Sequence, residues 1–225
     1  MSSQQQSQRQ GQGPAVKPHS APENHNQPVQ DPLAHFKAIP WCANILADPS
    51  ILETIVVDRR PLPSGESNFV RKVMNTNTTV RACISFFQPL SPSSPKALIT
   101  TLGGVGEDPT NPFLVFNALL DLGEDLTSYA GTMHGGLFAV LMDEVMGTAA
   151  NFQVPAHGAY TVQFNTSFKR PIKVPQAVLV RGRVVQKKGR KLMVRGAIED
   201  AQGNLMAEAE GLWIAMDRNV GRSQL

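Results

Sequence analysis

The chain has no apolar run of the roughly eighteen residues that a membrane-spanning helix needs, and its N-terminus lacks the basic start and apolar centre of a secretory signal. These absences argue against a membrane span and against export, and they predict a cytoplasmic protein, with a mitochondrial presequence as the weaker alternative. Cysteine is scarce. Cys42 and Cys83 show no metal-ligand spacing and no disulfide framework, which predicts plain buried thiols in a reducing compartment. The sequence also lacks G-x-S-x-G, G-x-x-x-x-G-K-[ST] and paired His or Cys ligands, so serine-elbow, P-loop and zinc mechanisms lack their residues. The glycine-rich "LGGVGEDP" at 102–109 fails G-x-G-x-x-G and reads as a turn. No metal and no cofactor are indicated.

One absence is local. From Lys169 to Arg195 there is no Asp or Glu, but there are ten basic residues: Lys169, Arg170, Lys173, Arg181, Arg183, Lys187, Lys188, Arg190, Lys191 and Arg195. Because the whole chain is only +3, this concentration predicts either an anionic partner or a solvated basic face. Nucleic acid is disfavoured as that partner, since no aromatic platform is interleaved with the bases.

What is present suggests one domain with extensions. The 225 residues are 41% apolar, enough for a real core. Residues 1–32 have no aromatic residue, Leu or Ile and are rich in Gln, Pro, Ser and Gly, which predicts a disordered tail. Residues 33–79 read as short helices broken by Pro40 and Pro49, then a loop, forming an appendage on the main body. The main domain is expected over 80–216, with 217–225 as a C-terminal tail.

Within that domain, β-like runs at 79–88, 96–104 and 112–123 precede one long apolar helix, "MHGGLFAVLMDEVMGTAANF" at 133–152. Residues 137–150 are apolar on all sides, as expected of a helix enclosed by other elements. Four strand signals follow, with turns at Lys188-Gly189 and at 200–203. The first, 159–168, alternates Tyr160, Val162, Phe164, Thr166 and Phe168 on one face with Thr161, Gln163, Asn165 and Ser167 on the other. The pattern predicts α+β, with an antiparallel sheet wrapped around a central helix.

In the middle of that helix stand two adjacent acids, Asp143 and Glu144. An ionised carboxylate away from water costs several kcal/mol unless it is paired. The two lie about 100° apart around the axis, so they cannot serve one spot; Glu144 is expected to meet solvent or a neighbouring subunit.

These residues carry a resemblance. His134-Gly135-Gly136, the acid nine residues later, Thr161 on the next strand and "FKRPI" at 168–172 resemble the hotdog-fold acyl-CoA thioesterases of the PaaI-like group, over about 113–216. The resemblance implies hydrolysis of an acyl-CoA or acyl-carrier thioester. In it the Gly135 N–H polarises the thioester carbonyl, Asp143 activates water or attacks directly, and the Thr161 hydroxyl positions the water. At the place where some relatives carry Asn, this chain has Ser128. Coenzyme A would enter only as part of the substrate, and the sites would be shared between chains of a homodimer or a dimer of dimers.

Elementary chemistry fits those roles. The first turn of a helix has free N–H groups and a partial positive charge that stabilise an oxyanion, and Gly135 and Gly136 let a carbonyl approach closely. Lys169, Arg170 and Lys173, and the hairpin bases at 187–191, suit the phosphates of coenzyme A. The alternatives stay open: His134 as a backbone-bonding helix residue or a catalytic one, Asp143 as a partner of a buried Arg, and Thr161 as a plain strand residue. Two other functions fit the same fold, an enoyl-thioester hydratase or dehydratase and a non-catalytic acyl-CoA-binding module.

Overall fold

The computed structural model describes residues 25–90, 100–103, 113–154 and 158–216. Two short helices, α1 (Pro32–Lys37) and α2 (Pro40–Leu46), precede strand β1 (Glu53–Val56). Each helix has proline in its first turn, where the missing N–H costs nothing, and the Asp31 side chain caps α1 by accepting from the Ala34 N–H. After a π-helical turn at Phe69–Val73 come β2 (Val80–Gln88) and β3 (Val115–Leu122), then a small hairpin of β4 (Thr127–Tyr129) and β5 (Thr132–Met133). The long helix α3 (Gly135–Phe152) leads into β6 (Ala159–Phe168), β7 (Gln176–Lys188), β8 (Lys191–Glu199) and β9 (Leu205–Ala215).

Seven strands form one antiparallel sheet in the order β1-β2-β3-β7-β8-β9-β6. Its inner face wraps α3, which buries Leu137, Phe138, Leu141, Met142, Val145, Met146, Ala149 and Ala150. This is the α+β hotdog arrangement. Two glycines set how closely helix and sheet approach. A Cβ on Gly182 of β7 would stand 3.0 Å from the Met146 Cα, and one on Gly196 of β8 would stand 2.5 Å from the Met146 sulfur.

The opposite face of β2 and β3 is covered by α1 and α2. Phe36 and Cys42 pack there with Ala82, Ile84, Phe86, Leu119 and Leu179, each large side chain contributing about 1.5–3 kcal/mol by leaving water. The cover is pinned by the buried Asp121, which pairs with His35 at 2.8 Å and Arg81 at 2.7 Å. Both cysteines are free and buried. Burial pushes the Cys42 thiol to about 12 and the Cys83 thiol to about 11, so neither is a nucleophile at neutral pH. They are the plain core thiols expected.

Four expectations need correction. Residues 25–32 are not part of a disordered tail: His25 and Gln27 are buried, the Gln27 amide donates to the carbonyls of Val57 and Cys83, and Pro32 opens α1. The rest of the expected tail lies outside the described residues, as does 217–225. Residues 53–56 are a strand rather than helix or loop, in keeping with their β-branched run. Of the described part of 96–104, residues 100–103, the first three are helical and not extended. There the carbonyls of Leu102 and Gly103 accept from the side chains of Arg183 and Arg195 instead of entering a ladder. Finally, the strict alternation read into 159–168 is broken by a bulge between Thr161 and Gln163.

Candidate active site

The first turn of α3 is built by His134. It is the N-cap residue, in extended conformation, and its Nδ1 accepts from the Gly136 N–H at 2.9 Å. That bond favours the backbone-bonding reading of His134 and takes Gly136 out of the set of free donors. The Leu137 N–H donates to the His134 carbonyl. The Gly135 N–H has no acceptor among the described residues, and a Cβ at Gly135 would meet nothing within 4 Å. An open donor at the positive end of an 18-residue helix suits a developing oxyanion.

Asp143 is half-buried two turns further on, and its Oδ1 accepts from the Thr161 Oγ at 2.8 Å. The bulge in β6 makes this contact. Val162 is the extra residue, so Thr161 turns to the same side as Phe164 and Phe168, which pack on Trp213 and on Phe138 of α3. Strict alternation had placed Thr161 on the face opposite to those aromatics.

Glu144 keeps solvent contact but faces another way, lining a cavity of about 300 Å3 between α3, β2, β3 and the segment 55–74. Desolvation first, and the charge of Asp143 second, push its carboxyl above the usual carboxylate range against the pull of Arg59 and Arg71. Its side chain is exposed to solvent, as expected, while it also borders the cavity. Arg59, also in that lining, is 5% exposed and donates to the carbonyls of Val70, Met74 and Val80. Desolvation lowers the pKa of its guanidinium. Sequence reasoning missed both the cavity and Arg59, because nothing in "VVDRRP" says which of two adjacent arginines is buried.

The remaining candidates scatter. Ser128 is exposed on β4, in the hairpin that leads into α3. The Lys173 Nζ donates to the Thr132 hydroxyl on the other strand of that hairpin, and Lys169 pairs with Glu208. Arg170 has no side-chain partner among the described residues. Most of the other bases are engaged: Arg181 with Glu199, Arg195 with Glu210, Arg183 with the Phe113 carbonyl, Lys187 with the Gln153 carbonyl and Arg190 with the Ala215 carbonyl. Three of the ten bases, Lys169, Arg181 and Arg195, are thus paired with carboxylates, while Lys173, Arg183, Lys187 and Arg190 donate to neutral oxygens, which do not offset their charge. Among the described residues there is no cluster of three or more His, Cys, Asp or Glu suited to a metal ion, and no helix is long and apolar enough to cross a membrane.

Residues 130–207 match the family profile of the thioesterase superfamily. A mouse acyl-coenzyme A thioesterase, THEM4, is 32% identical over 101 residues, 44% of this chain and 43% of the relative. The bovine THEM4 is 29% identical over 96 residues, 42% of this chain and 38% of the relative. The chain thus spans less than half the length of these curated relatives. Among solved structures, the PaaI protein of E. coli matches with a TM-score of 0.43 and 17% identity, covering 45% of this chain and 72% of that one.

Proposed function

We propose, for a chain whose residues 130–207 match the thioesterase superfamily, that it hydrolyses an acyl-CoA or a related acyl-carrier thioester to free acid and thiol. The observation that carries this reading is the bond from Thr161 to Asp143 on the helix that begins with the open Gly135 N–H.

Asp143 acts as general base or as nucleophile. As base, it takes the proton of a water that adds to the thioester carbon, and the Thr161 hydroxyl fixes the carboxylate and helps place that water. The carbonyl oxygen gains charge and is held by the Gly135 N–H. The carbon–sulfur bond then breaks, and the thiolate takes up a proton. His134 is a positioning residue that holds the first turn through Gly136. No cofactor enters beyond the coenzyme A of the substrate. Its phosphates would fall first to Arg170, since Lys169 and Lys173 already have partners.

Gly135 and Asp143 are eight residues apart, roughly 12 Å along the helix axis. Attack requires the base or nucleophile within about 3–3.5 Å of the carbon, so one helix does not supply both groups to one carbonyl. Two helices set antiparallel about a two-fold axis do. The exposed edge strand β6 supports such a homodimer: it is ten residues long and leaves Tyr160, Val162 and Phe168 each more than half exposed, an edge that isolated chains seldom leave uncovered.

The test is Asp143→Asn, assayed by thiol release. A folded variant should lose on the order of 10² or more in kcat with KM little changed. Turnover within about threefold of wild type would remove Asp143 from the mechanism.

A further inference from the structure

A core at ordinary packing density leaves few voids larger than a water molecule. The cavity beside Glu144 measures about 300 Å3, room for about ten groups of water or methylene size. The helix residues that line it, Leu141, Glu144, Val145, Thr148 and Phe152, stand on the flank of α3 towards β2 and β3, whereas Asp143 reaches Thr161 on β6. The cavity and the candidate active site therefore lie on opposite flanks of the helix.

Ser85 marks where a ligand would be held. On β2, Ala82, Ile84 and Phe86 face the cover of α1 and α2, so Ser85 faces inward, as Cys83 does. There it lines the cavity with its cross-strand neighbours, Ile55 of β1 and Ala118 of β3. Ser85 is 3% exposed, and its hydroxyl has no hydrogen-bond partner among the described residues. Buried polar groups are nearly always hydrogen-bonded, because an unsatisfied one bears its full desolvation penalty. The partner that the chain does not provide is one that a ligand in the cavity can.

The charges around the cavity select against an ionic ligand. Asp58 pairs with Arg60, Arg71 donates to the carbonyls of Asp58 and Arg60, and Arg59 donates to those of Val70, Met74 and Val80. Glu144 is exposed, so water screens it. Two acids and two bases among the lining residues leave no net sign, and a charged group inside would lose its hydration without a counter-ion. The same arginine bonds hold the wall in place independently of any ligand. Phe116 and Phe152, with ring centroids 6.0 Å apart, add aromatic surface to it.

We propose that this cavity is a second small-molecule site, separate from Asp143, and that it takes a neutral, largely apolar alcohol of about ten non-hydrogen atoms whose hydroxyl bonds to Ser85. The proposal stands apart from the thioester hydrolase reading.

The experiment is calorimetric titration of the full chain with hydrocinnamyl alcohol, a neutral probe of that size, and with phenylpropylamine and hydrocinnamate as its cationic and anionic counterparts. The alcohol should bind wild type with Kd below about 1 mM, and both ionic counterparts at least about tenfold more weakly. Ser85→Ala should fold as wild type does, since it removes an unpaired hydroxyl, and should weaken the alcohol about fivefold, as for loss of one neutral hydrogen bond. Ala118→Leu, which fills the cavity from β3, should weaken it at least about tenfold; if that variant does not fold, Ser85→Ala decides. Asp143→Asn should bind the alcohol as wild type does. No binding by wild type, binding unchanged in Ser85→Ala or in folded Ala118→Leu, an ionic counterpart that binds as tightly, or binding lost in Asp143→Asn would each overturn the proposal.

Discussion

On the flank of α3 that faces β6, Asp143 is half-buried, bonded to Thr161, and beside a strand whose outer edge is open. On the flank that faces β2 and β3, one residue further along, Glu144 borders a cavity that the chain's own N-terminal segment encloses. The same side-chain chemistry thus stands in two settings. On the proposed mechanism the first flank is incomplete in one chain: Asp143 has the Thr161 hydroxyl beside it, but the Gly135 N–H lies roughly 12 Å away along the same helix. The second is complete in one chain, because residues 55–74 and their arginine ties supply the missing wall. The difference teaches that the two acids are supported in different ways: on the proposed mechanism a second copy would complete the first flank, whereas the chain's own extension already borders the second.

The sharpest way to break this contrast is to mix two inactive variants. Asp143→Asn removes the acid, and Gly135→Pro removes the N–H. Refolded together, the pair should regain about a quarter of wild-type activity, since about half of the dimers are mixed and each mixed dimer restores one of two sites. If both fold and exchange subunits yet the mixture stays as inactive as its parents, the first flank does not depend on a partner.

A smaller effect is expected from Thr161→Val, which keeps the strand shape and removes the donor to Asp143. It should cost about tenfold in kcat, as for loss of a hydrogen bond to a charged group, with Thr161→Ser restoring most of it. An unchanged kcat would make Thr161 a plain strand residue. Arg170→Ala should act on KM alone and only several-fold, because an exposed cation is screened by salt. The rise should vanish for a short thioester without the nucleotide; an equal rise for both would assign Arg170 to solvation of the sheet.

The smallest effect concerns the second flank. In the folded chain the Glu144 carboxyl is held above its ordinary range by desolvation and by Asp143. Between its unfolded value, about 4.3, and the raised folded value, the folded state binds more protons than the unfolded one. Stability therefore falls as pH rises through that window. Glu144→Gln should raise Tm at neutral pH, with the gain fading as pH falls through that window and gone below about 4. A gain that does not vary with pH would show that the carboxyl is not held away from water.

Several features were legible along the chain. The α3 helix, its buried face and its acid could be read from residues 133–152, because apolar periodicity and the His-Gly-Gly start are local. The turns at Gly189 and Gly203, both at positive φ, were legible for the same reason. The strand at 53–56 carried its signal in Thr54, Ile55 and Val56, yet two nearby prolines drew the reading towards helix and loop. Other features had no local signal. The ten bases at 169–195 read as one patch, although β-sheet pairing sets Arg195 opposite Glu210 and brings Arg183 under the Phe113 carbonyl.

The sequence by itself determined the alternation of elements, the enclosed helix and the presence of an acid within it, since each depends on side-chain spacing over a few residues. Tertiary structure decided where those groups point. The register of β6 against β9 leaves Val162 as an extra residue, and that bulge turns Thr161 towards Asp143. The cavity exists because segments far apart in sequence, 55–74, 80–85, 116–120 and 141–152, close around one volume. Packing between distant segments is a property of the folded whole, and no short window of residues contains it.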